Sequence, residues 1–384
     1  MLFRSFGLAM FAGVVGERWA FPWLSSFSPL NRFGIFQKFN EKTTIINKTE
    51  QVIVREDISF SKLAEKVAPS LVKILIVSEK EGILPIRVDQ KEKAQTRSGF
   101  LITSDGLVMS VADQETANYF LENEQLKFKV LFSEGGVLEA NLVAYDLYSD
   151  LIFFKIEKSG NWTVPVWGDS SKINNGDRVL ICSSEDRSQP KLSVNYIRSK
   201  EENFSLLNSP LSFSEKLEGV MFFGSGLAED ESNGGSPVLN SEGEIVGLVG
   251  QAQKNGQKLN FILPFKSIEE TIDRAIKGQL AKRARLGVYY LSLNRELALK
   301  NSLPVEEGAL VYSFSGQQGL AVLKNSSADR AGIKIGDIII AVNDQKITPE
   351  NSLSKLISQR NAGEEITLKL LRGDKELEVK ADLE

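Results

Sequence analysis

The chain has 384 residues, of which 42% are hydrophobic and 25% are charged. This length suits two or three domains with substantial cores, and the composition excludes a disordered or collagen-like chain. Lysine and arginine number 46 against 50 aspartates and glutamates, so the formal net charge is −4. Because such a balance does not attract phosphate backbones, we predict that nucleic acid is not a partner.

Two residue counts exclude whole classes of site. The chain has one cysteine, Cys182, and no histidine. A single thiol forms neither an intrachain disulfide nor a cysteine metal cage. The missing imidazole excludes a Ser-His-Asp or Cys-His triad and histidine-ligated metals. We therefore predict that the protein uses no cofactor.

The N-terminal 24 residues are predicted to be a signal-like or membrane-anchor segment. Arg4 precedes an apolar run over residues 5–16, and a tryptophan-rich stretch follows at 19–24. About a dozen apolar residues suits the core of a signal peptide better than a membrane-spanning helix. A mis-assigned start or an apolar tail is the alternative. Residues 25–57 are predicted to be a tether, and the protein is predicted to be exported or anchored in the cell envelope.

The body of the chain begins with a short helix over residues 61–67. Short β-rich runs follow, at 71–76, 98–103, 107–111, 127–132, 137–144, 152–156, 178–182, 245–249 and 259–262. Turn signals such as Asp105-Gly106 separate them, and this pattern favours a β-barrel or sandwich over βαβ units. A helix at 268–276 and a charged connector at 279–285 lead to a smaller unit. That unit mixes strands at 309–314, 337–342, 366–372 and 376–381 with two helical stretches.

Three segments of the larger unit carry motifs in a fixed order. They are Ser98-Gly99-Phe100 leading through Asp105-Gly106 to Ala112-Asp113, the run Asp146 to Ile156, and Ser232-Asn233-Gly234-Gly235-Ser236-Pro237. Their order and spacing resemble the trypsin-like domain of the HtrA/Deg protease family. The resemblance places Asp113 at the position of the catalytic histidine, Asp150 at that of the orienting aspartate, and Gly234 at that of the nucleophilic serine.

These substitutions predict a catalytically degenerate domain. Glycine has no side chain to attack a carbonyl, and an aspartate with an ordinary pKa of about 3.9 is a very poor base for a hydroxyl. Ser232 also replaces the glycine that the resemblance assigns to the oxyanion hole. Two alternatives stay open. Asp113 and Asp150 share a proton or hold a hard cation such as Ca²⁺, or Asp113 points into solvent; Ser232 and Ser236 are displaced nucleophiles or ordinary turn serines.

The C-terminal unit carries a second motif, the run Ser326 to Asn343 with Gly332 and Gly336 at its turns. It resembles the PDZ domain that follows the protease domain in HtrA proteins. The resemblance implies that a peptide adds to the strand at 289–291 while amides of a loop capture its terminal carboxylate. The implied binding residues are those of the loop, Leu286, Gly287 and Val288, and those of the facing helix, Leu353, Leu356 and Ile357. The helix residues are alternatively plain core.

The predicted fold is therefore mainly β, with a two-lobed antiparallel β-barrel domain at 58–277 followed by an α+β PDZ domain at 286–384. The predicted function is that of a pseudoprotease that binds C-termini or exposed strands of other polypeptides as an adaptor, holdase or regulator. The alternative is a serine endopeptidase of envelope protein quality control with residual or unconventional activity. Predicted assemblies are a homotrimer, with Phe33, Phe36 and Phe39 as contacts, or a mixed assembly with an active relative.

Overall fold

The computed structural model describes residues 60–78, 96–133, 135–158, 160–184, 190–205, 211–224, 234–254 and 257–384. These residues lie in one compact unit, Glu56–Glu384. The predicted anchor, the tether and the three phenylalanines of the trimer prediction lie outside the described residues.

The first barrel is a closed antiparallel sheet of six strands in the order β1-β2-β3-β6-β5-β4. Its strands are β1 (Leu71–Ser78), β2 (Thr96–Leu101), β3 (Leu107–Val111), β4 (Leu126–Phe132), β5 (Val137–Asp146) and β6 (Leu151–Ile156). Helix α1 (Phe60–Val67) precedes it, and helix α2 (Gln114–Glu122) connects β3 to β4. Because β3 and β6 pair side by side, Val111 lies opposite Leu151. This pairing brings the segments that follow β3 and precede β6 together.

The second barrel is also closed, in the order β10-β13-β12-β11-β7-β8. Its strands are β7 (Arg178–Ser183), β8 (Lys191–Ser205), β10 (Glu218–Phe223), β11 (Pro237–Leu239), β12 (Ile245–Lys254) and β13 (Gln257–Pro264). Buried side chains from both barrels and from helix α3 (Phe265–Ile276) form a shared core. The two lobes are therefore packed against each other, as apolar faces of neighbouring sheets require.

Helix α3 begins after Pro264 and ends at a glycine. Ile268 and Ile272 are four residues apart, so both lie on the buried face. Gly278 has φ +65, and the amides of Gly278 and Gln279 donate to the carbonyls of Ala275 and Arg274. These are the bonds of a Schellman cap, which glycine favours because a positive φ costs it nothing. The connector that follows contains a short 3₁₀ turn, Leu280–Lys282.

The C-terminal domain is built on a sheet in the order β19-β18-β16-β15-β14-β9, with β17 paired to β16. Its own elements are β14 (Tyr289–Ser292), α4 (Arg295–Lys300), β15 (Ala309–Val311), α5 (Gln318–Ala321), α6 (Ser327–Arg330), β16 (Ile338–Val342), β17 (Gln345–Lys346), α7 (Leu353–Ser358), β18 (Glu365–Arg372) and β19 (Lys375–Asp382). The edge strand β9 (Ser212–Phe213) comes from the other domain, from the connection between β8 and β10. The sheet of one domain is thus completed by a segment of the other.

The prediction of two antiparallel barrels followed by an α+β domain is confirmed. Element bounds differ slightly from those predicted: β2 covers Thr96–Leu101, whereas we expected 98–103, and α3 begins three residues earlier than expected, at Phe265. No helix within the described ranges is long and apolar enough to cross a membrane.

Candidate functional site

Asp113 lies at the end of β3 and is the N-cap of helix α2. Its side chain accepts a hydrogen bond of 2.7 Å from the amide of Thr116, and the residue is exposed. Aspartate is among the preferred N-cap residues because its carboxylate satisfies an amide that has no partner inside the helix. The local sequence therefore engages this carboxylate in capping at the position where the resemblance implies a base.

Asp150 lies next to Asp113 through the backbone and has a different set of side-chain partners. The amide of Ala112 donates to the Asp150 carbonyl at 3.0 Å, which joins the two segments. The Asp150 carboxylate accepts from the Tyr145 hydroxyl at 2.6 Å and from the Lys216 ammonium at 2.7 Å. Its own φ is +58, a value that aspartate tolerates better than most residues.

The pair of Lys216 and Asp150 is enclosed. The two side chains are 7% and 17% exposed. Burial raises the pKa of the Asp150 carboxyl above its ordinary value, and the Lys216 ammonium and the Tyr145 hydroxyl oppose this rise. Burial, with the neighbouring Asp150 charge, raises the pKa of Tyr145 as well. The carboxylate that would orient an imidazole in a triad is instead paired with an ammonium.

Gly234 occupies a position at which the space for a side chain is already filled. A Cβ on Gly234 would lie 2.8 Å from Oε1 of Gln251. The Gln251 amide group donates to Oδ1 of Asn260 at 3.1 Å, which holds it across this space. The neighbouring Gly235 has φ +88, and a Cβ there would lie 2.3 Å from the Ser98 carbonyl oxygen. The turn therefore needs glycine at position 235, and at position 234, which the resemblance assigns to the nucleophile, there is no side chain.

Of the two serines that flank Gly234, the structure describes Ser236 and does not describe Ser232. Ser236 is fully buried, and its hydroxyl lies 2.9 Å from the hydroxyl of Ser183. Such a hydroxyl is already engaged and has no access to a substrate. Ser232 and the rest of the 225–233 segment lie outside the described residues, so the oxyanion-hole interpretation stays a prediction. Among the described residues, no cluster of three or more acidic or cysteine side chains is arranged to hold a metal ion.

The loop at Leu286, Gly287 and Val288 presents its amides to a carboxylate of the same chain. Oε1 of Glu215 accepts from the amides of Leu286 at 2.6 Å and Gly287 at 2.9 Å. The Ser214 hydroxyl accepts from the amide of Val288 at 2.9 Å. Gly287 has φ +85, and a Cβ there would lie 2.4 Å from Cβ of Ser326, so the loop needs glycine at this position.

The strand beside this loop is paired with β9, and the helix opposite is buried. Tyr289 lies opposite Phe213, and their rings stack with centroids 4.4 Å apart. On α7, Leu353, Leu356 and Ile357 are at most 2% exposed and belong to the core of the domain. These three side chains are therefore core residues, and whether they also line a peptide site stays a prediction.

Sequence reasoning missed four residues that complete the site: Tyr145, Glu215, Lys216 and Gln251. Two of them act through partners far along the chain: Lys216 binds Asp150, 66 residues before it, and Glu215 binds the amide of Leu286, 71 residues after it. The segment 211–217 carries no motif. Its signals were the alternation of Leu211 and Phe213 with serines, which suits a very short strand, and an acidic and a basic residue after it, a pattern that is common on protein surfaces.

Comparisons with known proteins identify both domains. The family model of the trypsin-like peptidase domain matches residues 97–248, and that of the PDZ domain matches residues 286–383. A probable periplasmic serine endoprotease DegP-like from Marinomonas sp. (strain MWYL1) is 28% identical over 298 residues, covering 77% of this chain and 58% of the relative. The serine protease HTRA1 of Xenopus laevis is 25% identical over 325 residues, covering 83% and 65%.

These curated relatives are longer, and the chain spans less than two thirds of their length. Solved structures give the same fold. The HtrA-type protease AlgW with a decapeptide matches with a TM-score of 0.61 at 17% identity, covering 85% of this chain and 98% of that one. The tripeptide complex of AlgW matches with a TM-score of 0.62 at 19% identity, covering 85% and 96%. The relatives' names favour the endopeptidase function over the pseudoprotease prediction.

Proposed function

We propose that this chain, which combines an HtrA/DegP-type trypsin-like domain with a C-terminal PDZ domain, binds the C-termini or exposed strands of other polypeptides and does not cleave peptide bonds. The observation that carries this proposal is that Gly234, at the position that the resemblance assigns to the nucleophile, has no hydroxyl, while Oε1 of Gln251 lies 2.8 Å from where its Cβ would be. A serine protease needs a hydroxyl at this point, and a base beside it.

The remaining positions of the site support the same proposal. The Asp113 carboxylate caps a helix, and the Asp150 carboxylate is bound by Lys216 and Tyr145. Neither is adjacent to a free nucleophile among the described residues. General-base catalysis requires a base within hydrogen-bond reach of the proton that it removes. Asp113 and Asp150 at these positions do not meet that requirement.

Peptide binding is supported by the geometry of the PDZ domain. The amides of Leu286 and Gly287 converge on one carboxylate oxygen, and β14 pairs with an added antiparallel strand. A loop that binds a carboxylate and an edge strand that accepts a partner are the two parts of C-terminal peptide recognition. We expect C-terminal peptides to bind with a micromolar Kd, and amidation of the terminus to weaken binding sharply.

Location and partners follow from the relatives by analogy. The DegP-like relatives are named periplasmic endoproteases, which supports an envelope or exported location for this chain. There the protein would act as an adaptor, a holdase or a regulator of an active relative. A homotrimer or a mixed assembly would bring its PDZ domain to the substrates of that relative.

The proposal is tested with an activity probe and a peptide library applied to the full chain. A fluorophosphonate and unfolded casein should give neither labelling nor cleavage, whereas a library of peptides with free C-termini should yield binders. Labelling that is lost in Ser232→Ala or Ser236→Ala would overturn the non-catalytic assignment. Equal binding of acid and amide forms of the selected peptides would overturn carboxylate capture.

A serine endopeptidase is the second candidate, and the names of the relatives favour it. The glycine turn supports it too, because Gly235 has the positive φ that the close approach to Ser98 requires. This function needs a nucleophile outside positions 113, 150 and 234. Mass spectrometry of casein fragments after long incubation would detect it, with the Ser232→Ala variant as the control.

A further inference from the structure

Residues Ser212 to Glu215 lie in the PDZ groove as a bound peptide would. Ser212 and Phe213 pair with Tyr290 and Tyr289 as an added antiparallel strand, and the amide of Ser214 continues the ladder to the Val288 carbonyl at 3.0 Å. An internal segment has no terminal carboxylate. The chain turns here, with the amide of Lys216 donating to the Phe213 carbonyl at 2.9 Å, and the turn directs the Glu215 side chain to the loop.

The Glu215 carboxylate meets the donors that a terminal carboxylate would meet. Its Oε1 accepts from two loop amides and from the Ser214 hydroxyl at 2.8 Å. Glu215 is 7% exposed, and its Oε2 is buried without a hydrogen-bond partner. A carboxylate is buried only where hydrogen bonds offset its lost hydration, so the loop binds this group specifically.

The same segment reaches the barrel site. Directly after Glu215, Lys216 pairs with Asp150, and the amide of Leu217 donates to the Tyr148 carbonyl at 2.7 Å. Two adjacent residues thus occupy the two functional positions of the chain. Withdrawal of Glu215 from the loop would strain or break the pair that its neighbour makes.

We propose that the segment 212–215 is an internal ligand of the PDZ groove, that a C-terminal peptide binds by displacing it, and that this displacement releases Lys216 from Asp150. The inference rests on the proposed peptide-binding function and adds its regulation. Apparent affinity for a peptide then equals the intrinsic affinity multiplied by the fraction of chains with an open groove. Variants that weaken the internal ligand should therefore bind peptide more tightly.

The test uses a fluorescent peptide with the sequence of residues 208–214 and a free C-terminal carboxylate, titrated against the full chain. The Glu215→Ala variant should bind it about tenfold more tightly, because charge-assisted hydrogen bonds of the closed state are lost. Glu242→Ala removes a carboxylate from an exposed turn of the second barrel and should bind as the parent does.

A reversible disulfide between β9 and β14, called the lock below, tests the proposal if Glu215→Ala fails to fold. Phe213→Cys with Tyr289→Cys places two thiols at paired positions of β9 and β14. Oxidation should abolish peptide binding, and reduction should restore it. Burial raises the pKa of Cys182 to about 12, so this thiol does not compete in the exchange.

Release of Lys216 is measured as the rate at which its amine is acylated, followed by mass spectrometry. The parent chain should label slowly at Lys216, and saturating peptide should raise that labelling several-fold. Lys172, whose side chain is 82% exposed, should label equally in both states. Unchanged labelling at Lys216 would overturn the coupling to the barrel site.

The outcomes separate the two proposals. Equal affinity of parent and Glu215→Ala, or unchanged affinity of the oxidised lock, overturns the internal ligand while peptide binding stands. Binding of library peptides without binding of the 208–214 peptide overturns it too, because the internal sequence is then no ligand. Failure of every peptide in every variant overturns the proposed function itself.

Discussion

At the scale of single residues, two side chains and one backbone amide contact the three positions that the resemblance assigns to the triad. Gln251 covers the space beside Gly234, Lys216 binds Asp150, and a helix terminus binds Asp113. Each of these polar groups forms a hydrogen bond within the protein: Gln251 with Asn260, Lys216 with Asp150, and Asp113 with the amide of Thr116. A hydroxyl or an imidazole introduced at one position would therefore meet occupied neighbours.

The variant Gly234→Ser tests this crowding. The new Cβ would lie 2.8 Å from Gln251, so we expect the free energy of unfolding to fall by about 1 kcal/mol. We expect no casein cleavage, and none after addition of Asp113→His, because Lys216 still holds Asp150. Urea unfolding measures the first expectation. Gly136→Ser is the control, since a Cβ at Gly136 has nothing within 4 Å, and Gln251→Ala should relieve the cost in a double-mutant cycle.

The ion pair between Lys216 and Asp150 gives a second prediction. Lys216→Met leaves the buried Asp150 carboxylate with the hydrogen bond from the Tyr145 hydroxyl and without its counterion, and loss of one member of a buried pair costs about 3 kcal/mol. Adding Asp150→Asn should recover most of this loss, and asparagine tolerates the φ of +58 at this position. Chemical unfolding of the two variants measures the difference. Equal stability of the single and double variants would show that the pair carries little energy.

At the scale of elements, Arg283 of the connector after α3 links the barrels to the PDZ domain. Arg283 forms an ion pair with Asp146 at 3.2 Å and donates to the Thr271 hydroxyl at 2.8 Å and to the Ser358 carbonyl at 3.2 Å. Its guanidinium also lies 4.7 Å from the centre of the Tyr148 ring. One side chain thus joins the end of β5, helix α3 and helix α7.

Replacement of this arginine should loosen the junction. We expect Arg283→Ala to lower the free energy of unfolding by about 3 kcal/mol, because Asp146 then loses its counterion in a buried setting. Arg283→Lys keeps the charge and loses the planar fork, so an intermediate effect is expected. Thermal unfolding measures both. A loss no larger than that of Arg295→Ala, an exposed arginine of α4, would contradict the structural role.

At the scale of the whole molecule, local signals in the sequence predicted the fold, and distant contacts determined the site. Turn pairs such as Asp105-Gly106 and the run Ser326 to Asn343 identify strands and domains because their information is local. Glu215 binds Leu286 across 71 residues, and no neighbouring residue specifies that partner. Asp113 was predicted as a triad position, yet its capping role also follows from its place directly before a helix.

The absence of histidine makes the pH dependence of stability unusually simple to interpret. No imidazole titrates in this chain, so the first side chains to lose a proton above the ordinary carboxyl range are carboxyls whose pKa the fold has raised. Burial raises the pKa of Asp150, Glu215 and Glu218 above their ordinary values. Lys216 faces the first, Arg285 and the amides of Leu286 and Gly287 face the second, and the hydroxyls of Ser212, Ser292, Ser352 and Tyr290 face the third.

The sign of the effect follows from proton linkage. A carboxyl with a raised pKa binds more protons in the folded chain than in the unfolded chain, so its contribution is fully present below the ordinary value and is lost as the pH rises through the folded value. We therefore expect the melting temperature to fall as the pH rises above the ordinary range of carboxyl pKa values. Glu218→Gln should flatten this slope without requiring release of the internal ligand, and Glu215→Gln should flatten it further. Slopes that coincide for parent and double variant in a thermal scan would contradict the assignment.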